Sequence, residues 1–305
     1  MSAFREPVLR RELQLDGPLD LARTLFPLRR GHADPTMRIG EGFAIRALRT
    51  LEGPATLSLS LLPHGAIDAR ALGPGAELAL EVEAPGLAGA LDDASGFDPT
   101  PEVVRRLWRR HRGVRLTQTA PMPVLLAAVL EQKVTGVEAR RAWRGLVRAT
   151  SEPAPGDAEL WLPPDPARVA TLPSFAFHRF GVESRRAGVC RSIGERAEAV
   201  DRLAARPQEA RAWLERLPGI GAWTSAEVSR LSLGDADAVS VGDYHLPNLV
   251  AWVLAGEPRA DDARMLELLE PYRGNRGRVQ RLLEADGASA PRFGPRADAR
   301  SIRAI

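Results

Sequence analysis

Apolar positions fall into two textures along the chain. Over the first hundred residues, short runs alternate apolar with polar and are separated by Gly and Pro. Period-two alternation over 42–50, 55–62 and 76–83 predicts three strands, and 7–15 reads as another. A short helix is predicted over 18–28. Strands joined by turns make a small antiparallel sheet. After Pro99 the apolar residues recur at helical spacing. Helices are predicted over 101–111, basic and amphipathic; over 124–132, apolar enough to be buried; and over 137–149. A Pro-, Asp- and Gly-rich loop follows at 151–166. Further helices are predicted over 185–203, 208–217, from Gly221 onward, 246–254, 261–269 and 276–285. The fold class is therefore α+β. A small N-terminal α/β sheet domain (1–100) precedes an all-helical domain (101–286), and 287–305 is a Pro-, Gly- and Arg-rich tail. No internal repeat at a fixed period is present.

Composition narrows the function classes. The chain has 305 residues, 44% hydrophobic and 27% charged, which is globular and long enough for two or three packed units. Met1 to Gly17 carries charges throughout and lacks the apolar stretch of a signal peptide. No apolar run is long enough to span a bilayer. A cytoplasmic, nucleoid-associated protein with no membrane partner is expected. Cys190 is the single cysteine, so an intramolecular disulfide and a cysteine-ligated zinc or iron–sulfur site within one chain are excluded. It reads as a small apolar helix residue. No metal site is expected.

Net charge is only +3, yet the sequence pI is about 9.7 and the charges are segregated. Residues 51–100 hold one base, Arg70, among many acids. Residues 101–150 reverse the balance, with arginines clustered on the predicted helices 101–111 and 137–149 and few acids. That asymmetry fits a polyanionic partner on one part of the molecule, or arginines that solvate helix surfaces. Lys133 is the sole lysine. Chemistry that needs a side-chain amine has one candidate.

The most informative stretch is Leu217-Pro218-Gly219-Ile220-Gly221-Ala222-Trp223-Thr224. An amphipathic helix runs into Pro218, which cannot continue it. Gly219 and Gly221 permit a tight reversal, and a new helix starts at once. Its first N–H groups lack intrahelical partners and can bind phosphate. Gly219, Ile220, Gly221, Ala222 and Thr224 are thus candidate DNA contacts, independent of base sequence. An ordinary helix–helix turn explains these residues equally well. Asp243 follows 22 residues after Gly221 and opens the next apolar helix. An N-cap role accounts for it, and a cap is compatible with a catalyst because the helix N-terminus keeps a carboxylate ionised and oriented.

Leu-Pro-Gly-Ile-Gly-x-Trp-Thr, followed by a loop and Asp243-Tyr244, resembles the helix-hairpin-helix DNA glycosylase superfamily, in its bacterial 3-methyladenine-DNA glycosylase II branch. Three further stretches fit in order. They are Leu130-Glu131-Gln132-Lys133-Val134-Thr135, Gly181-Val182-Glu183-Ser184-Arg185-Arg186-Ala187 and Pro271-Tyr272-Arg273. The resemblance covers about 124–283. It implies double-stranded damaged DNA as partner, extrusion of the target nucleotide, and hydrolysis of its N-glycosidic bond with Asp243 as catalytic carboxylate. It also implies a monovalent cation held by hairpin carbonyls within 217–221, no organic cofactor, and a monomer. Gln132 and Lys133 occupy the region of the wedge that fills the vacated stack. Lysine there departs from the apolar residue expected, and a phosphate contact or a solvated helix end are its other readings.

Trp223 and Tyr244 are candidate walls of the base pocket, since an electron-rich ring stacks on a cationic base. Core packing is the alternative for each. Glu227 falls where the branch has a second aromatic, and Arg281 where another is expected, so a more polar pocket is anticipated. In lyase relatives a lysine sits two residues after the second hairpin glycine, and here that residue is Trp223. A monofunctional glycosylase acting on an alkylated purine follows from the resemblance. The rivals are an oxidised-base glycosylase with lyase activity through Lys133, and a non-catalytic lesion-binding protein in which Asp243 only caps its helix.

Overall fold

The computed structural model describes residues 7–156 and 159–291. A five-stranded antiparallel sheet occupies the N-terminal part, with strands β1 (Leu9–Leu13), β2 (Met37–Gly40), β3 (Phe43–Thr50), β4 (Gly53–Leu61) and β5 (Ile67–Leu72) in the order β1-β5-β4-β3-β2. A two-residue turn joins β3 to β4, with Thr50 opposite Gly53 and Phe43 opposite Ser60. Period-two alternation places Ala55, Leu57 and Leu59 of β4 on one face with Ile67, Ala69 and Ala71 of β5. Short helices cover that face: α1 (Leu21–Leu25), and a continuous run of α2 (Ala76–Leu78), a π-helical turn (Ala79–Glu83) and α3 (Ala84–Leu87).

The strand expected over 76–83 is therefore a helix. Its buried residues are Ala76, Ala79, Leu80, Ala84 and Leu87, a helical rather than a strand period. Apart from Val82, the segment is also built from Ala, Leu and Glu, all strong helix formers. Apolar–polar alternation there is incidental.

The helical part comprises α4 (Glu102–Arg110), α5 (Pro121–Glu131), α6 (Gly136–Thr150), α7 (Pro166–Thr171), α8 (Ser174–His178), α9 (Ser184–Glu195), α10 (Ala197–Asp201), α11 (Pro207–Leu214), α12 (Ala222–Ser232), α13 (Leu246–Ala255), α14 (Asp262–Leu269) and α15 (Arg276–Asp286). The helix expected over 185–203 breaks at Arg196, whose backbone (φ −115°, ψ 14°) ends α9 before α10 begins. Two short helices follow the segment read as a loop, α7 starting at its last residue and α8 soon after.

Hydrophobic side chains gather in three main clusters. One lies under the sheet and reaches Val124 and Leu231. A second fills the space among α5 to α12, where Leu125, Leu126 and Phe177 are fully buried. The third joins α4 to α13, α14 and α15 through Val104, Leu107, Val250, Leu269 and Leu282. A lesser group, Ala47 with Leu160 and Leu162, packs the 151–166 segment on the other side of β3. The tail 287–305 falls largely outside the described residues. Among the described residues no helix is long and apolar enough to cross a membrane.

Candidate active site

The hairpin sits between α11 and α12. Gly219 has φ +88°, and a Cβ there would run into Val189 of α9, so glycine is required twice over. Ile220 is buried and anchors the turn, while Pro218 lies on its exposed side. Gly221 differs from Gly219. Its backbone is extended (φ −113°, ψ −175°), and nothing lies within 4 Å of where a Cβ would stand. No side chain caps the start of α12. The first N–H groups of α12, from Ala222 on, thus have no side-chain cap and follow a residue with open space where a side chain would stand. That is the geometry of an anion site at a helix N-terminus.

Asp243 lies one helix start away. Its Oδ1 accepts from the backbone N–H of His245 (2.7 Å) and of Leu246 (2.9 Å), the N-cap and first residue of α13. Its Oδ2 accepts from the indole Nε1–H of Trp223 at 3.0 Å. Three donors therefore fix one half-buried carboxylate, and the indole comes from the first turn after the hairpin. Trp223 and Asp243 are brought together across a separation that no local pattern reveals.

Behind Asp243 the loop is itself clamped. The Asp243 N–H donates to the Ser240 carbonyl at 3.2 Å. The Ser240 hydroxyl donates to Glu227, and its N–H donates to Gln280 Oε1 at 3.2 Å. The Gly242 N–H donates to the Asp262 carboxylate (3.0 Å). Ser240, Gln280 and Asp262 carry no sequence signal for this role, because each acts through a partner on another element.

Glu227 is buried in an ion-pair network. It binds Arg230 through both oxygens (2.9 and 3.1 Å), and Arg230 also reaches Glu284 at 3.1 Å. Burial pushes the Glu227 carboxyl above its usual range, and Arg230 opposes that. Arg281 is buried too. It donates to the Arg23 carbonyl, and desolvation draws its guanidinium down to about 10. Both residues are engaged inside the protein. Tyr244 lies at the opposite extreme, 86% exposed, with its ring edge-on to His245. Cys190 is buried, and burial raises its thiol to about 12, so it is no nucleophile.

Gln132, at the end of α5, donates from Nε2 to the Gly219 carbonyl (3.0 Å) and to Thr224 Oγ1 (2.8 Å). It ties the 132–135 loop to the hairpin. Next to it Lys133 has φ +54°, the one non-glycine residue with positive φ among the described residues. A lysine held in that sparsely populated region marks a constrained loop tip, and its side chain is exposed. Thr135 then caps α6 in a reciprocal box with Glu138. Phe175 of α8 is 68% exposed, whereas Phe177 is fully buried.

No family model matches the sequence, and no curated protein matches it significantly. Solved structures do match. The 3-methyladenine DNA glycosylase from Archaeoglobus fulgidus superposes with a TM-score of 0.75 at 16% identity, over 91% of this chain and 98% of its own. The chain has a DNA glycosylase fold. The Clostridium acetobutylicum 8-oxoguanine glycosylase/lyase, solved with double-stranded DNA containing cytosine opposite 8-oxoguanine, gives 0.68 at 11% identity, over 88% and 91%. Within this glycosylase fold, the Asp243–Trp223 pair and the open start of α12 flank one another. Among the described residues no group of three or more His, Cys, Asp and Glu could hold a metal ion.

Proposed function

We propose that the protein excises a damaged base from double-stranded DNA by hydrolysing its N-glycosidic bond, leaving an abasic site. The observation that carries this reading is Asp243, a carboxylate fixed by Trp223 and two backbone amides beside an uncapped, side-chain-free helix start. The N–H groups of α12 grip a phosphate of the damaged strand, and Gly221 lets the backbone come close. The target nucleotide swings out of the stack. As the C1′–N bond breaks, its electron pair leaves with the base and positive charge builds on the sugar. Asp243 stabilises that charge, and a water oxygen then bonds to C1′ as its proton passes to the carboxylate.

An alkylated purine is the favoured substrate class. Such a base is already cationic and needs little acid assistance to leave, and no proton donor is aimed at the site from Trp223 or Asp243. The indole of Trp223 stacks on the cationic ring. Glu227 shapes the site through Ser240. Lys133 inserts at the vacated position or meets a phosphate, and it makes no Schiff base, so strand cleavage is absent. Carbonyls within 217–221 would hold a monovalent cation. They are neutral and lie at an exposed turn, which suits a weakly bound ion that adds positive charge near a phosphate. The Leu217 carbonyl accepts from Ile220 N–H and the Gly219 carbonyl from Gln132, each leaving one lone pair. The enzyme acts as a monomer in the cytoplasm.

Base release from methylated duplex DNA by the wild type and by Asp243→Asn tests this reading. The variant should bind DNA normally and release bases at least about 10²-fold more slowly. Borohydride should trap no covalent protein–DNA species with either protein. A wild type that releases nothing from alkylated, oxidised or deaminated duplexes while still binding them would overturn the enzymatic reading.

A further inference from the structure

We propose that the cleft between the sheet domain and α6 is a second phosphate-binding tract, which holds the strand opposite the extruded base while the hairpin grips the other. The inference rests on the proposed action on duplex DNA and adds to it the path of the complementary strand.

Two adjoining cavities make the cleft. One of about 250 Å³ lies between Arg29 and Arg30 on one side and Glu131, Val134 and Arg140 on the other. The next, about 460 Å³, continues from Arg29 past His32 to Arg144 and Arg148. The acids that line them are already engaged. Glu131 pairs with Arg30 at 3.0 Å, and Glu159 pairs with Arg38. Asp34 accepts from the Arg30 N–H, from Thr36 and from the Trp143 indole. Arg29, Arg140 and Arg144 make no ion pair among the described residues, so the positive charge of the cleft is uncompensated.

One guanidinium group there is also short of an acceptor. Arg29 lines both cavities, and its Nε is buried without a hydrogen-bond partner among the described residues. Buried donors left unmade are costly, and an anion entering the cleft offsets that cost. Cationic walls of low dielectric also focus the field on a polyanion.

Position identifies that anion. Glu131, Val134 and Gly136 of the first cavity bracket Lys133 in the chain, and Gln132 is pinned to the hairpin. The order in space is therefore hairpin, Lys133 loop, arginine cleft. A duplex laid across the Lys133 loop puts one strand on each side of it. Arg140, Arg144 and Arg148 recur every four residues in a row along α6, spanning about 12 Å. One strand carries a phosphate per 3.4 Å of axis, so the row meets about three of them. A mononucleotide would not use its length.

The test is the salt dependence of binding to an undamaged duplex and to the isolated single strand. R140Q combined with R144Q is compared with R10Q combined with R70Q, an equal loss of charge at the β1 side of the sheet. Neutralising two phosphate contacts flattens the log–log slope by about 2, so the wild type's loss between 50 and 200 mM salt shrinks by about tenfold. This should appear with the α6 variant on duplex, far less on the single strand, and not with the sheet variant. An unchanged duplex slope in the α6 variant, with Gly221→Ala still weakening binding, overturns the second tract alone. Equal losses on duplex and single strand overturn its assignment to the opposite strand. ATP binding that the α6 variant abolishes, with DNA binding intact, makes the cleft a nucleotide pocket instead. A wild type that binds no DNA overturns both this tract and the proposed function.

Discussion

At the scale of single residues, Asp243 meets Trp223 through one hydrogen bond. Both carboxylate oxygens of Asp243 accept hydrogen bonds, yet the two sets of donors differ in kind. The backbone amides of His245 and Leu246 donate at the start of a helix, and asparagine accepts from them equally well through its carbonyl oxygen. The indole of Trp223 faces the other oxygen, where asparagine would present a donor to a donor. Asp243→Asn should therefore stay folded while losing the oriented negative charge. Trp223→Phe is the complementary change. It keeps a ring for stacking and removes one charge-assisted hydrogen bond, worth about 1.5–3 kcal/mol. Single-turnover base release should fall about ten- to a hundredfold, with little change in the substrate concentration for half-saturation. A change confined to saturation would assign Trp223 to the base and not to the carboxylate.

At the scale of elements, the hairpin separates two uses of glycine. Gly219 needs its positive φ and has Val189 against it. Gly219→Ala should cost about 1–3 kcal/mol and lower the melting temperature by several degrees. Gly221 has ordinary backbone angles and open space, so Gly221→Ala should leave the melting temperature nearly unchanged and weaken DNA binding severalfold. Thermal melts beside duplex titrations check both halves. These glycines were legible because Pro218 and two glycines punctuate an otherwise helical pattern. So were β3, β4, α4, α6 and α12 to α15, where the apolar period is long or the boundary residue is strong. The 76–88 segment misleads because Ala, Leu and Glu alternate in the sequence while burying on a helical period. β5 escaped notice since Ile67, Ala69 and Ala71 alternate correctly but alanine is a poor strand former. Of the candidate site, Asp243 and the hairpin could be read directly. Gln132's grip on Gly219 and Glu227's place in an ion-pair network could not, because their partners lie far away in sequence.

At the scale of the whole molecule, one carboxylate ties the sheet part to α15 and to the segment before α5. Asp92 follows the helices that cover the sheet. Its Oδ2 accepts from the N–H of Leu116, on the segment that leads into α5, at 3.0 Å. Both oxygens also bind Arg278 of α15, at 2.7 and 2.9 Å, with the two side chains only 5% and 3% exposed. Arg278 directs its remaining donors to the Asp93 carbonyl and to Asn275. The pair ties α15 to the end of the segment that covers the sheet, and α15 carries Gln280, which accepts from the Ser240 N–H in the Asp243 loop. Removing one partner strands a buried charge, so Asp92→Ala should lose about 3–5 kcal/mol in denaturant titration. Arg278→Met added to Asp92→Ala removes the stranded cation and fills its space, and it should recover a large part of that loss. The recovered protein should still release bases more slowly than the wild type, since the apolar pair lacks the directional bonds that align α15. If the double variant is as unstable as Asp92→Ala alone, the damage lies in the lost Leu116 bond. If it matches the wild type in both stability and rate, the ion pair has no part in placing Asp243.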